Sequence, residues 1–146
     1  MALKINLAKL ELIKADGEEA YPSECCGFLL GRFDNNDKEV LLTLGAMNAR
    51  EESEQYHRYL IDPQAFLQGE KFARERNMEI VGFYHSHPDA EARPSNYDLE
   101  HGWPRYSYVI VSVKNRRAQE VTSWLLQDDR SKFLQEEIVI ESTQDD

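Results

Sequence analysis

Residues 79–100 read EIVGFYHSHPDAEARPSNYDLE, and this stretch sets both the scaffold and the chemistry. Its first seven residues, EIVGFYH, form an apolar run of strand length, the pattern of a buried β-strand. In a strand, residues two apart point to the same face, so His85 and His87 aim both imidazoles in one direction. Pro88 cannot extend a hydrogen-bonded ladder, and the chain leaves the sheet there. After the loop DAEAR, the segment SNYDLEHG reads as a short helix opened by Ser95 and closed near Gly102. Ser95 and Asp98 have the spacing of a helix capping box, which would fix Asp98 in the first turn. Two imidazoles and one carboxylate are three protein ligands for zinc with a fourth position left open. That is the pattern of a catalytic site, whereas structural zinc sites close all four positions.

The rest of the chain supplies a layered domain around this strand. LKI, near the N-terminus, reads as a short edge strand. Asn6 is a helix N-cap, and Leu7, Leu10, Ile13, Gly17 and Ala20 keep helical spacing until Pro22 stops the helix. CCGFLLGRF and KEVLLTLGAMN, separated by the turn cluster DNND, read as a β-hairpin. Residues 48–60 form a polar, irregular loop, a candidate substrate-contacting flap. Asp62-Pro63 opens a second helix, with Ala65, Phe66, Gly69, Phe72 and Ala73 on one face up to Asn77. YSYVIVSV, EVTSWLL and EEIVIES are three more strands, the first two joined by a turn at KNRR. Strands mixed with helices that can cover both faces make an α/β domain with a mixed sheet.

The 146 residues are the size of a single domain, with residues from about 141 to 146 as a flexible acidic tail. Hydrophobic residues make up 41% and charged residues 30%, an ordinary globular composition. Net charge is −10, from 27 acidic and 17 basic side chains, which argues against a nucleic-acid partner. There is no apolar run of membrane-spanning length and no signal-peptide pattern at MALKINLAKL, so a cytoplasmic address is expected. Cys25 and Cys26 are adjacent, and neighbouring cysteines cannot staple distant segments; they read as buried thiols. A hydrolytic site also needs a base for water. Asp89, Glu91 and Glu100 lie near in sequence, and spacing does not choose between them and more distant acids.

The motif HSHP followed by PSNYD, with YPSECCGFLLGR far upstream, resembles the JAMM (MPN-plus, Mov34-type) zinc metallopeptidase signature of small single-domain bacterial members. The resemblance runs from about residue 4 to about 126. It implies a curved mixed β-sheet sandwiched by helices, related to the zinc deaminases. It also implies His85, His87 and Asp98 as zinc ligands, Glu24 as the general acid/base, and Ser95 as a donor to the oxyanion of the tetrahedral intermediate. The implied activity is hydrolysis of a peptide or isopeptide bond after the C-terminal Gly-Gly of a ubiquitin-like or sulfur-carrier protein.

The chief alternative is a non-catalytic MPN-type interaction module, but every ligand of the motif is present. The Pro-Cys-x-x-Cys signature of a zinc deaminase is missing. Of the two remaining histidines, His101 follows Asp98 by three residues and reads as a surface or supporting group. His57 falls in the polar loop. Gly27 and Gly31 read as places of close approach within the first hairpin strand. The size of the chain leaves little room for the insertions that grip ubiquitin in eukaryotic members. Oligomeric state is not legible.

Overall fold

The computed structural model describes residues 2–46, 48, 61 and 63–141. Seven strands and three helices follow one another as β1 (Ala2–Asn6), α1 (Leu7–Ala20), β2 (Cys26–Asp34), β3 (Asp37–Ala46), α2 (Pro63–Glu75), β4 (Glu79–Pro88), α3 (Asn96–His101), β5 (Ser107–Lys114), β6 (Arg117–Leu126) and β7 (Phe133–Glu141). Among the described residues no helix is long and apolar enough to cross a membrane. The His57 position and most of the 48–60 loop lie outside the described residues, as does Asp62.

The elements begin and end where local chemistry dictates. The Asn6 side chain accepts the Lys9 amide at 2.9 Å, and Leu10, Ile13 and Gly17 form the buried face of α1. Leu7, expected on that face, is instead half exposed at the first helical position, before the stripe has turned onto the sheet. α2 closes as Asn77 adopts φ 58°, a left-handed conformation that asparagine tolerates. The hairpin turns likewise place Asn35 and Asn115 at positive φ.

The sheet is mixed, and its strand order is β1-β3-β2-β4-β5-β6-β7. β4 lies at its centre, antiparallel to β2 and parallel to β5. The expected mixed sheet is present, but it is closed on itself and not a curved sheet sandwiched by helices. β1 is no edge strand: it pairs in parallel with β3 on one side and with β7 on the other, closing the sheet into a barrel. Closure leaves β1 no free edge to blunt, which is one of the ways sheets avoid edge-to-edge pairing. A short strand shows its burial in sequence, but not how many neighbours it has.

Helices still lie against different parts of the sheet. α1 packs on β1, β3, β4, β5 and β6, so the sheet curls around it, whereas α2 packs on β2 and β4. Tyr84 of β4 donates to Asp16 of α1 at 2.7 Å, and Glu18 accepts the Ala118 amide of β6 at 2.7 Å. Gly17 gives α1 its close approach, since a Cβ there would stand 3.0 Å from a Val113 methyl. The core accordingly divides in two. Ile13, Leu29, Tyr84 and Val111 belong to the α1 side; Phe28, Phe83, Ala73 and Tyr108 belong to the α2 side. Gly31 sits at a register shift in β2, where a Cβ would collide with the Glu39 carbonyl.

A buried polar group ties the closure together. Glu136 of β7 accepts from Ser107 of β5 at 2.6 Å and Ser123 of β6 at 2.8 Å. Lys38 of β3 stands 3.7 Å from the same carboxylate, and both side chains are almost fully buried. The pair thus joins the strands that flank β1. Removing one member of a buried pair strands the other charge. Lys38→Met is expected to lower the unfolding free energy by about 3–5 kcal/mol in urea denaturation, and Lys38→Met/Glu136→Gln to recover part of it. Equal stability of Lys38→Met and the parent chain would contradict this role.

Candidate metal centre

The centre forms at the C-terminal end of β4. Successive residues of the strand alternate between the two core layers: Tyr84 and Ser86 face α1, and Phe83, His85 and His87 face the opposite side. β4 ends at Pro88, and the loop that follows is strapped to the neighbouring strands. Asp89 donates its amide to Val113 O at 2.6 Å. Ser112 and Thr122 hydroxyls donate to Ala90 O at 2.5 Å and Ala92 O at 2.6 Å. This brings α3 back over β4. Ser95 caps it: its Oγ accepts the Asp98 amide at 3.1 Å, while its own amide donates to Asp98 Oδ2 at 2.8 Å. The capping box therefore holds the Asp98 carboxylate in one orientation.

Three donor groups converge. His85 Nε2 and His87 Nε2 lie 3.1 Å apart, and each lies 3.3 Å from an Asp98 oxygen. Donors of a tetrahedral site with bonds of about 2.0–2.1 Å stand roughly 3.3–3.4 Å from one another. The observed spacing is close to that. His87 Nδ1 faces the Glu91 carbonyl at 2.9 Å, an acceptor only, so Nδ1 carries the proton and Nε2 presents a lone pair. The nitrogens and the carboxylate could therefore hold a metal ion together, and all three residues are buried.

The electrostatics agree with a cation-binding cluster. Burial by itself would raise the Asp98 pKa, but His85, His87 and the Ser95 amide outweigh it and hold the carboxylate well below its usual range. Burial pushes His85 down against the pull of Asp98. His87 moves up, because Asp98 outweighs its burial.

Glu24 lies beside this cluster, just ahead of β2. The pairing of Cys26 with His85 continues as Ser86 N donates to Cys25 O at 3.2 Å and Cys25 N to Ser86 Oγ at 2.8 Å. Glu24 is the next residue back along the chain, and its carboxyl interacts electrostatically with His87 and Asp98. The Asn48 side chain holds the Glu24 carbonyl at 3.1 Å. The Glu24 side chain is buried, and burial lifts its carboxyl to about 8, with His87 opposing and Asp98 adding to the rise.

The acids nearer in sequence point elsewhere. Asp89 accepts from Tyr21 Oη at 2.6 Å and the Asn115 amide at 3.1 Å. Glu91 pairs with Lys114 at 2.6 Å, and Glu100 is exposed on α3. His101 stacks on Tyr97, with ring centroids 4.1 Å apart, and directs Nδ1 to Tyr97 O at 2.9 Å. Cys25 and Cys26 are free, buried thiols with pKa raised by burial to about 12. Ser86, Ser112 and Thr122 carry positioning roles that no motif announced. A hydroxyl placed among apolar strand residues was the only signal, and it names no partner.

The family of prokaryotic homologs of the JAB domain matches residues 8–127. A desampylase from Pyrococcus furiosus is 32% identical over 81% of this chain and 76% of that protein. A desampylase from Haloferax volcanii is 33% identical over 65% of this chain and 66% of that protein. A Thermus thermophilus protein named "Probable TtuB-protein conjugate cleaving protease" is 37% identical over 41% of this chain and 40% of that protein. Solution structures from Desulfitobacterium hafniense and Salinibacter ruber superpose with TM-scores of 0.84 and 0.75, at 28% and 40% identity. The first covers 96% of this chain and 93% of that one, the second 97% and 93%. With its sequence match, its fold and its His-His-Asp cluster in agreement, the chain belongs to the prokaryotic homologs of the JAB domain, the JAMM type of metallopeptidase.

Proposed function

We infer that this protein is a zinc-dependent isopeptidase that cleaves the bond after the C-terminal Gly-Gly of a ubiquitin-like or sulfur-carrier protein. The observation that carries this reading is the convergence of His85 Nε2, His87 Nε2 and the Asp98 carboxylate beside a buried Glu24. His85, His87 and Asp98 would hold the ion. A zinc ion there supplies Lewis acidity toward a carbonyl and toward water. The conjugate class is supported by the names of the relatives, two desampylases and a protease cleaving TtuB-protein conjugates. A cytoplasmic location fits the two free thiols.

The chain's own groups account for the proton movements. Glu24 takes a proton from the attacking water as the new C–O bond forms. It then passes that proton to the leaving nitrogen as the C–N bond breaks. A buried carboxyl beside the donor cluster is placed both to accept a proton and to release it. Ser95 Oγ accepts the Asp98 amide and so keeps its own proton to donate. Its role is to hydrogen-bond the carbonyl oxygen as negative charge gathers there.

The test is a sulfur-carrier protein whose C-terminal Gly-Gly is joined to aminomethylcoumarin. Zinc-loaded protein is expected to release the fluorophore, and a chelator to stop it. Glu24→Gln should keep stoichiometric zinc by elemental analysis and lose activity by at least about 10²-fold. Near-parental activity in Glu24→Gln, or no bound zinc in the parent, overturns the reading.

A second outcome follows from the Glu24 environment in the metal-free protein. Unfolded, Glu24 releases its proton near 4.5; folded, it keeps it to about 8. The folded state binds the extra proton between those values, so stability falls as pH rises through that window, by at most about 1.4 kcal/mol per pH unit. Glu24→Gln should flatten that slope in denaturation measured from pH 5 to 8. An unchanged slope means that Glu24 titrates normally.

A further inference from the structure

Glu24 stands just ahead of the ladder between β2 and β4, which begins at Cys26 opposite His85. The segment that carries His87 grips the Glu24 segment on both sides of the acid. After Glu24, Cys25 is bonded to Ser86, the residue before His87, through the serine hydroxyl and amide. Before Glu24, the Tyr21 hydroxyl donates to Asp89 Oδ2 at 2.6 Å, two residues past His87. Tyr21 and Asp89 are 68 residues apart in the chain. The two attachments thus bracket Glu24 in one segment and His87 in the other.

The Tyr21–Asp89 bond joins two ends that are themselves fixed. Asp89 adopts φ 54°, the left-handed region that aspartate enters more readily than most residues. Its amide donates to Val113 O at 2.6 Å, and its Oδ1 accepts the Asn115 amide at 3.1 Å, so the hairpin between β5 and β6 aims the carboxylate. Tyr21 donates its amide to Gly17 O at 3.2 Å at the end of α1, and its ring packs against the α1-side core. The Arg116 guanidinium lies over that ring, 5.6 Å from its centre. Between Tyr21 and Glu24 the chain is turned by a bond from Ser23 N to Ala20 O at 2.9 Å. A hydroxyl that donates to an ionised carboxylate makes a shorter and stronger bond than one between neutral groups.

Resting on the isopeptidase reading, we propose that Tyr21 and Asp89 are positioning residues for that reaction. Their hydrogen bond holds the segment of Glu24 against the segment of His87 and keeps the carboxyl within reach of the attacking water and the leaving nitrogen. A reacting group displaced by about 1 Å can cost on the order of a hundredfold in rate. The two residues act through the backbone of Glu24, so their effect falls on kcat and leaves KM and zinc content unchanged. Asp89, the acid nearest to the histidines in sequence, thus serves the reaction through Tyr21 and not as its base.

The test uses zinc-loaded protein and the sulfur-carrier protein joined to aminomethylcoumarin. Tyr21→Phe and Asp89→Gly are each expected to lower kcat by about fivefold or more, at unchanged KM and stoichiometric zinc. Glycine accepts the left-handed backbone at position 89, so that change removes the carboxylate without strain. The double variant should lose no more than either single one. Asp89→Asn, whose side-chain amide can still bond the Tyr21 hydroxyl, should recover most of the rate. In the metal-free protein, amide exchange at Cys25 followed by NMR should quicken about fivefold in Tyr21→Phe, while exchange at Ile110 in β5 stays parental. Parental kcat in both single variants, a loss confined to KM, or losses that multiply in the double variant would each overturn the positioning role and leave the isopeptidase reading standing. If the parent chain cleaves nothing, the isopeptidase reading has failed, and amide exchange decides on the bracket. Quicker exchange at Cys25 alone supports it; unchanged exchange there overturns it.

Discussion

Ser86 stands between the two histidines with its side chain on the opposite face of β4, and there it grips the backbone of Cys25. Its Oγ accepts the Cys25 amide at 2.8 Å, and its own amide donates to Cys25 O at 3.2 Å. These two bonds fix the register between β2 and β4 where β2 begins and β4 ends. A slip of one residue would turn every side chain of a strand to the other face. Glu24 would then leave the cluster, or the histidines would point into the α1 layer. The juxtaposition of the buried Glu24 carboxyl with the His85, His87 and Asp98 donor groups is thus set by strand pairing.

The third donor is held by different means. Asp98 comes from a short helix after a loop, and loops are ordinarily where geometry is loose. Here the loop is strapped to β5 and β6 through Ser112 and Thr122, and the helix start is locked by the Ser95 capping box. The Glu91 carbonyl on that loop also sets the His87 tautomer. One segment thereby orients the Asp98 carboxylate, fixes the proton of His87 and lines an adjacent cleft. Closure of the sheet through β1 and the buried Lys38–Glu136 pair give this segment a rigid base.

Much of this was legible in the sequence because the signals are local. The apolar run EIVGFYH predicts a strand, whose two-residue period gives His85 and His87 a common face, and the serine-to-aspartate spacing predicts the cap. Asn6, Pro22 and Pro63 mark helix limits by chemistry that acts within a turn. That Glu24, and not Asp89, Glu91 or Glu100, is the buried acid beside the cluster was not legible from spacing, because it depends on a strand register. Only the resemblance to the JAMM signature pointed to it. Barrel closure was equally hidden: the LKI segment looks the same whether it pairs on one edge or on two. The buried Lys38–Glu136 pair joins residues far apart in the chain, and neither position carries a local pattern that announces burial.

X-ray absorption fine structure of the zinc-loaded protein measures the proposed ligand set directly. The account predicts a first shell of nitrogen and oxygen at about 2.0–2.2 Å, with outer-shell scattering from two imidazole rings. A sulfur shell at about 2.3 Å would put the ion on Cys25 or Cys26 and contradict the account, as would a shell without imidazole scattering.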